Sequence, residues 1–211
     1  MSRWSKRAIM VFAALAAPTI WAATASAGSS HFQVKGKEAI AEFAVFDALI
    51  CDDGSTRSMQ THFSIRSSEV LIKMQGQMTT TLRTDVTVSS FNPCTFEQSF
   101  SSGVFFGGDL PMNALESATL AGHFVLEDGK VLDLNLTLTG SDQISNGRRM
   151  ERRNSGNALV MTRTVGTSRS AVISGTATFD GRVIPASQMA DTSASLVRNT
   201  SGEIIVIQGG K

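Results

Sequence analysis

The sequence predicts an all-β protein, an antiparallel β-sandwich or closed barrel of roughly ten strands. Three observations predict it. Segment after segment alternates apolar and polar residues with a period of two. Asp-Gly pairs punctuate those segments, and long helical periodicity is nearly absent. A period of two sets one face of a strand on a core and the other in water, as antiparallel sheets do.

The first 27 residues stand apart. Arg3, Lys6 and Arg7 precede an apolar run from 8 to 22, and Ala25-Ser26-Ala27 ends it before Gly28. Charge, apolar stretch and small-residue exit in that order are a secretory signal with cleavage between Ala27 and Gly28. The run is shorter than the roughly 20 residues that span a bilayer. The expected product, 28–211, is a single all-β domain, long enough for one well-packed core. It carries 16 Lys+Arg against 18 Asp+Glu once Arg3, Lys6 and Arg7 are removed. That balance lacks the basic excess nucleic-acid binding requires. The expected location is extracytoplasmic, periplasmic or secreted, and the alanine-rich leader has a bacterial style.

Each strand segment follows from its residues. Met59, Thr61, Phe63 and Ile65 share one face, while Gln60, His62, Ser64 and Arg66 share the other. Leu82, Val86 and Val88 alternate with Arg83, Asp85 and Thr87. Leucines at 132, 134, 136 and 138 alternate with Asp133, Asn135, Thr137 and Thr139. Ala171, Ile173, Ala177 and Phe179 alternate mainly with Ser and Thr. Asp53-Gly54, Asp128-Gly129 and Asp180-Gly181 supply the positive φ that tight hairpin turns require. A short helix is expected around 112–117, an irregular stretch over 184–193, and an exposed polar loop over 140–157. Segments 41–47 and 121–127 look alike, but alternation alone makes strands look alike, so no repeat is read.

Two cysteines remain after the leader. In an oxidising compartment, Cys51 and Cys94 are expected to form a disulfide.

Signals for chemistry are sparse. No Gly-x-Ser-x-Gly elbow, Walker loop or dinucleotide glycine pattern is present. Three histidines, His31, His62 and His123, each precede a phenylalanine. Three imidazoles suit a catalytic zinc, which makes His62 and His123 the candidate metal ligands; dispersed spacing argues against a site, and no cofactor is expected. Asp47, Asp52 and Asp53 gather near Cys51 but lack calcium-loop spacing. Glu42, Asp47, Glu97 and Asp133 are the carboxylates from which a glycosidase pair would be drawn. Asn135 and Asn199 begin N-glycosylation triplets, relevant only in a eukaryotic pathway. Arg148, Arg149, Arg152 and Arg153 give four arginines in six residues. Guanidinium groups recognise phosphate and carboxylate, so the 148–153 run is the candidate anion-binding loop, for an anionic envelope polymer or lipid headgroup.

Cys51 near an Asp-Gly turn, Phe91-Asn92-Pro93-Cys94-Thr95, Leu138-Thr139-Gly140, the stretch 169–176 and the terminal stretch 194–203 carry a resemblance. Their layout resembles a group of uncharacterised secreted bacterial all-β proteins. The resemblance implies a secreted β-domain and no activity, ligand or catalytic residue. The function expected is therefore that of an exported soluble β-domain that binds or supports without catalysis. The alternatives are a hydrolase or metal-dependent enzyme whose site is assembled from distant strands, with His62 or His123 as base or ligand, and an outer-membrane β-barrel.

Overall fold

In a computed structural model of the chain, every segment with clear period-two alternation is a strand. The structure describes residues 29–74, 77–155 and 158–208. The expected leader and the expected cleavage point between Ala27 and Gly28 lie outside them. The strands are β1 (Ser29–Ile50), β2 (Thr56–Met74), β3 (Gln77–Asn92), β4 (Glu97–Phe106), β5 (Met112–Asn113), β6 (Ser117–Val125), β7 (Val131–Ser155), β8 (Ala158–Phe179), β9 (Arg182–Pro185) and β10 (Ala190–Gln208). They form one antiparallel sheet in the order β4-β3-β2-β1-β10-β8-β7-β6-β5, with β9 added beside β8. Pairing of β1 with β10 joins the two ends of the chain at the middle of the sheet.

The sheet folds over on itself, so its inner face becomes both walls of the core. Phe43 on β1 stacks on Phe63 of β2 at 4.8 Å, and Phe179 of β8 meets Phe63 edge-on at 5.3 Å. Leu132, Leu136 and Leu138 are completely buried, as their alternation requires. Burying each such side chain contributes about 2 kcal/mol. At the sheet's two ends, Phe105 of β4 reaches Phe124 of β6, ring centroids 4.8 Å apart. A backbone bond from the Glu127 N–H to the Ser102 carbonyl (2.9 Å) crosses the same gap. These contacts bring the ends together, but no strand ladder joins β4 to β6. The outcome is an open sheet packed as a sandwich, rather than a closed barrel.

The three Asp-Gly turns are hairpin turns with a left-handed glycine, at φ 77°, 84° and 81° for Gly54, Gly129 and Gly181. Two share one pattern: Gly54 N–H bonds the Cys51 carbonyl and Gly129 N–H bonds the Leu126 carbonyl. In the third, Asp180 is also left-handed at φ 49°, giving the two-residue turn that matches strand twist. Elsewhere the expectations fail. Residues 112–117 are a two-residue strand and a turn, because Ala114 is left-handed at φ 50°, which ends any helical path. The stretch 184–193 is more regular than expected: β9 ends at Pro185, a 3-10 turn spans Ala186–Gln188, and β10 starts at Ala190.

The core stops before the strands do. Lys37 and Glu69, paired across β1 and β2, form an ion pair at 2.9 Å on the inner face, and the Lys37 ammonium donates to the Leu110 carbonyl (2.8 Å). Leu110 is buried at 1% exposure, so this contact pins the connection after β4 over the end of the core. Beyond it, β3, β2, β1, β10, β8 and β7 continue as a six-stranded arm, since β4 pairs only with 83–92 and β6 only with 131–139.

Candidate functional site

The arm begins at one row of the sheet, Gly147–Gly166–Asn199–Gly36–Val70–Thr81. Three of those six positions are glycine. The Asn199 side chain lies over the row: a Cβ on Gly166 would stand 2.7 Å from its Oδ1, and one on Gly36 would stand 3.5 Å from its Nδ2. On this outer face the Asn199 amide lies over the glycines, and its Oδ1 is buried without a hydrogen-bond partner, while the inner face at the same level carries Lys37, Glu69, Arg198 and Thr167.

Past this row both faces of the arm carry apolar side chains. Val34, Ile72, Val160, Ile204 and Val206 fall on one face, and Leu71, Leu159, Met161, Val165 and Ile205 on the other. All are half-buried. None belongs to the buried core cluster or packs against it. Met78 and Met150, at the arm's two edges, are 66% and 60% exposed.

The arginine run lies here, and its setting corrects the expectation of a loop. Arg148, Arg149, Arg152 and Arg153 belong to β7, paired with Val165, Thr164, Met161 and Val160 of β8. In this stretch β7 is the edge of the sheet. Arg148 and Arg152 project to the face of Met161, Arg149 and Arg153 to the opposite face. Arg149 also pairs with Glu151 two residues on. Charged side chains on an edge strand hinder unwanted strand addition, and these four do so whatever else they do.

The other expected residues are not brought together. His62 is on the outer face of β2, between Ala44 of β1 and Ser89 of β3. His123 is on the outer face of β6, its Nδ1 2.6 Å from Oδ1 of Asp133, the residue opposite on β7. The two sit in different halves of the folded sheet, and the side chain of His31 lies outside the described residues. Among the described residues no three His, Cys, Asp or Glu groups converge as a metal requires. The carboxylates considered as an acid–base pair take separate partners: Asp47 pairs with Arg182 of β9, Glu42 faces the Ser64 hydroxyl at 3.4 Å, and Glu97 accepts from Thr95 at 3.1 Å. Asp53 is occupied within its own turn. It accepts from the Ser55 hydroxyl (2.6 Å) and amide (2.9 Å), which hold its pKa below the ordinary carboxylate value, with Arg57 assisting.

Cys51 and Cys94 are bonded, with Cα atoms 5.4 Å apart, well within disulfide range. The bond fits an oxidising compartment. No helix among the described residues is long and apolar enough to cross a membrane.

One cleft, which sequence reasoning missed, opens at the seam between β4 and β6. It holds about 320 Å³ and runs from Asp109 and His123 at its mouth to Ile65, Leu82 and Leu134. It exists because the rings of Phe105 and Phe124 fold back over glycines of their own strands. A Cβ on Gly103 would stand 2.6 Å from the first ring, and one on Gly122 would stand 2.7 Å from the second. Two of the hydroxyls on its wall, Ser67 and Thr84, satisfy each other at 3.0 Å. Comparisons of the chain with protein-family models, curated proteins and solved structures give no match.

Proposed function

We propose that the chain is an exported, soluble, non-catalytic interaction protein, in which a disulfide-stapled β-body holds a strand arm out for a partner. The observation that carries this reading is the arm, with half-buried apolar residues on both faces that neither belong to the buried core cluster nor pack against it. A soluble protein rarely leaves so continuous an apolar surface uncovered unless something binds it. The bonded cysteines and the leader at 1–27 support a place outside the cytoplasm, periplasmic or secreted. The open sheet weighs against an outer-membrane barrel, because free strand edges are not tolerated in hydrocarbon. The four arginines of β7 contribute a basic rim to the arm, suited to an anionic envelope polymer or lipid headgroup.

A second reading has one observation behind it. The His123–Asp133 contact at the mouth of the cleft is an imidazole oriented by a carboxylate, the arrangement a general base requires. A broad hydrolase panel separates the two. The interaction reading expects no turnover; turnover that disappears in His123→Ala would put the enzyme first. The interaction reading also expects that Leu71→Ser with Ile205→Ser, both on one arm face, abolishes association with envelope fractions and leaves the cooperative melt of the body in place, since neither belongs to the buried cluster.

A further inference from the structure

Charge is segregated between arm and body. Beyond the glycine row, in 29–35, 71–74, 77–80, 148–155, 158–165 and 200–208, there are seven Lys or Arg: Lys35, Lys73, the four arginines of β7, and Arg163. Only Glu151 and Glu203 oppose them, for a net charge of +5. The described remainder, 36–70, 81–147 and 166–199, holds eight Lys or Arg against sixteen Asp or Glu, a net charge of −8. A chain that is nearly neutral as a whole is therefore dipolar, with its positive end on the apolar arm.

The positive charge also favours one face. By strand register, Lys35, Lys73, Arg148, Arg152 and Arg163 share the face of Leu71, Met161 and Ile205, the continuation of the core-lining surface. All five cations are exposed, and one acid, Glu203, shares the face by register opposite Arg163, leaving it a net charge of +4. Taking about 3.3 Å per residue and 4.8 Å per strand, the 40 residues of these six strand segments give a face of roughly 600 Å².

We propose that this face docks on an anionic lipid bilayer. The inference rests on the interaction reading above and names the partner. Two features together select a bilayer. Cations interleaved with apolar side chains match a surface that offers phosphate groups above hydrocarbon, and a basic, apolar surface gains from both. A soluble polyanion rewards the cations alone. A like arm on a second copy is repelled by +5 facing +5. The acidic body, repelled by the same lipids, is held away, which orients the molecule. Docking stays at the surface: among the described residues the outer edges of β3 and β7 in the arm have no strand neighbour, and unpaired backbone groups do not enter the bilayer interior.

The test is flotation of the purified, exported protein with vesicles of phosphatidylcholine alone, or with about one third phosphatidylglycerol. Two variants accompany it: Arg148→Gln with Arg149→Gln, Arg152→Gln and Arg153→Gln on the exposed edge, and Leu71→Ser with Met161→Ser on the proposed face. Melting curves and an intact disulfide establish that each is folded. The proposal expects binding to anionic vesicles only, weakening as salt rises, with the arginine variant at least about 100-fold weaker. It expects the apolar variant to lose binding as well. Four results overturn it. One is no vesicle binding. A second is equal binding to both vesicles. A third is binding that polyphosphate abolishes and that the apolar variant retains, which assigns a polyanion. The fourth is self-association that both variants remove without any vesicle binding, which assigns a second copy and keeps the interaction reading. If neither vesicles nor self-association respond to either variant, the interaction reading falls too.

Discussion

Asp128 ties the turn after β6 to the edge strand β4. Its carboxylate accepts from the Ser101 hydroxyl (2.5 Å) and pairs with the Lys130 ammonium (2.8 Å), while its neighbour Glu127 makes the backbone bond across the seam. Lys130, then Ser101, hold the Asp128 pKa at about 2, against an ordinary 3.8. A carboxylate whose folded pKa is depressed adds stability above its ordinary value and loses that addition as pH falls through the folded value. Asp128→Asn keeps the shape and removes the charge. Its urea midpoint should therefore fall below that of the parent above pH 3.8, with the gap closing as pH drops toward about 2. A gap that ignores pH across this window would mean that the charge does not hold the seam. None of this was legible in the sequence, which shows Asp128 only as half of an Asp-Gly turn. Ser101 is 27 residues away, and only the fold brings the two together.

At the scale of the element, legibility depends on how different the two faces of a strand are. Leu132, Leu134, Leu136 and Leu138 face the core while their neighbours face water, so this part of β7 is written in the sequence as alternation. Arg148 to Arg153 continue the same strand, yet both of their faces are exposed. With no difference between faces there is no period, and the segment looks like a polar loop. The apolar run 204–207 of β10 hides its strand for the mirrored reason. The disulfide was legible from compartment and count, and its placement shows what it does. It joins the turn after β1 to the turn after β3, at the end of the sheet opposite the arm. Closing a loop between residues 43 apart stabilises by about 4 kcal/mol in the chain-entropy account. Cys51→Ser with Cys94→Ser should lower the guanidinium-derived stability by about 2–4 kcal/mol while the strand content by circular dichroism persists, because the buried cluster lies away from the bridge. Loss of all strand signal would mean that the body depends on the staple to fold.

For the molecule as a whole, body and arm share strands but not the forces that hold them. In the body, each strand gains a ladder and a facing wall of buried side chains. In the arm it gains the ladder and apolar contacts outside that cluster, while ordering each backbone residue still costs about 1–2 kcal/mol. On the outer face three glycines separate the two parts, and on the inner face the Lys37–Glu69 ion pair marks the end of the buried cluster, so opening of the arm need not disturb the core. Regions with few facing contacts open at lower free energy than the global transition. Amide exchange along single strands tests this. In β2, the amides at 63–65 should exchange only through global unfolding, and those at 70–73 should exchange faster. In β8 the division should fall between 173–177 and 160–163. Equal protection along β2 would mean that arm and body unfold as one unit, and the row of glycines would then mark no boundary. Where the division holds, anionic vesicles should slow exchange at 70–73 and 160–163 and leave 63–65 unchanged, since a bilayer on the arm would cover apolar side chains that lie outside the buried cluster.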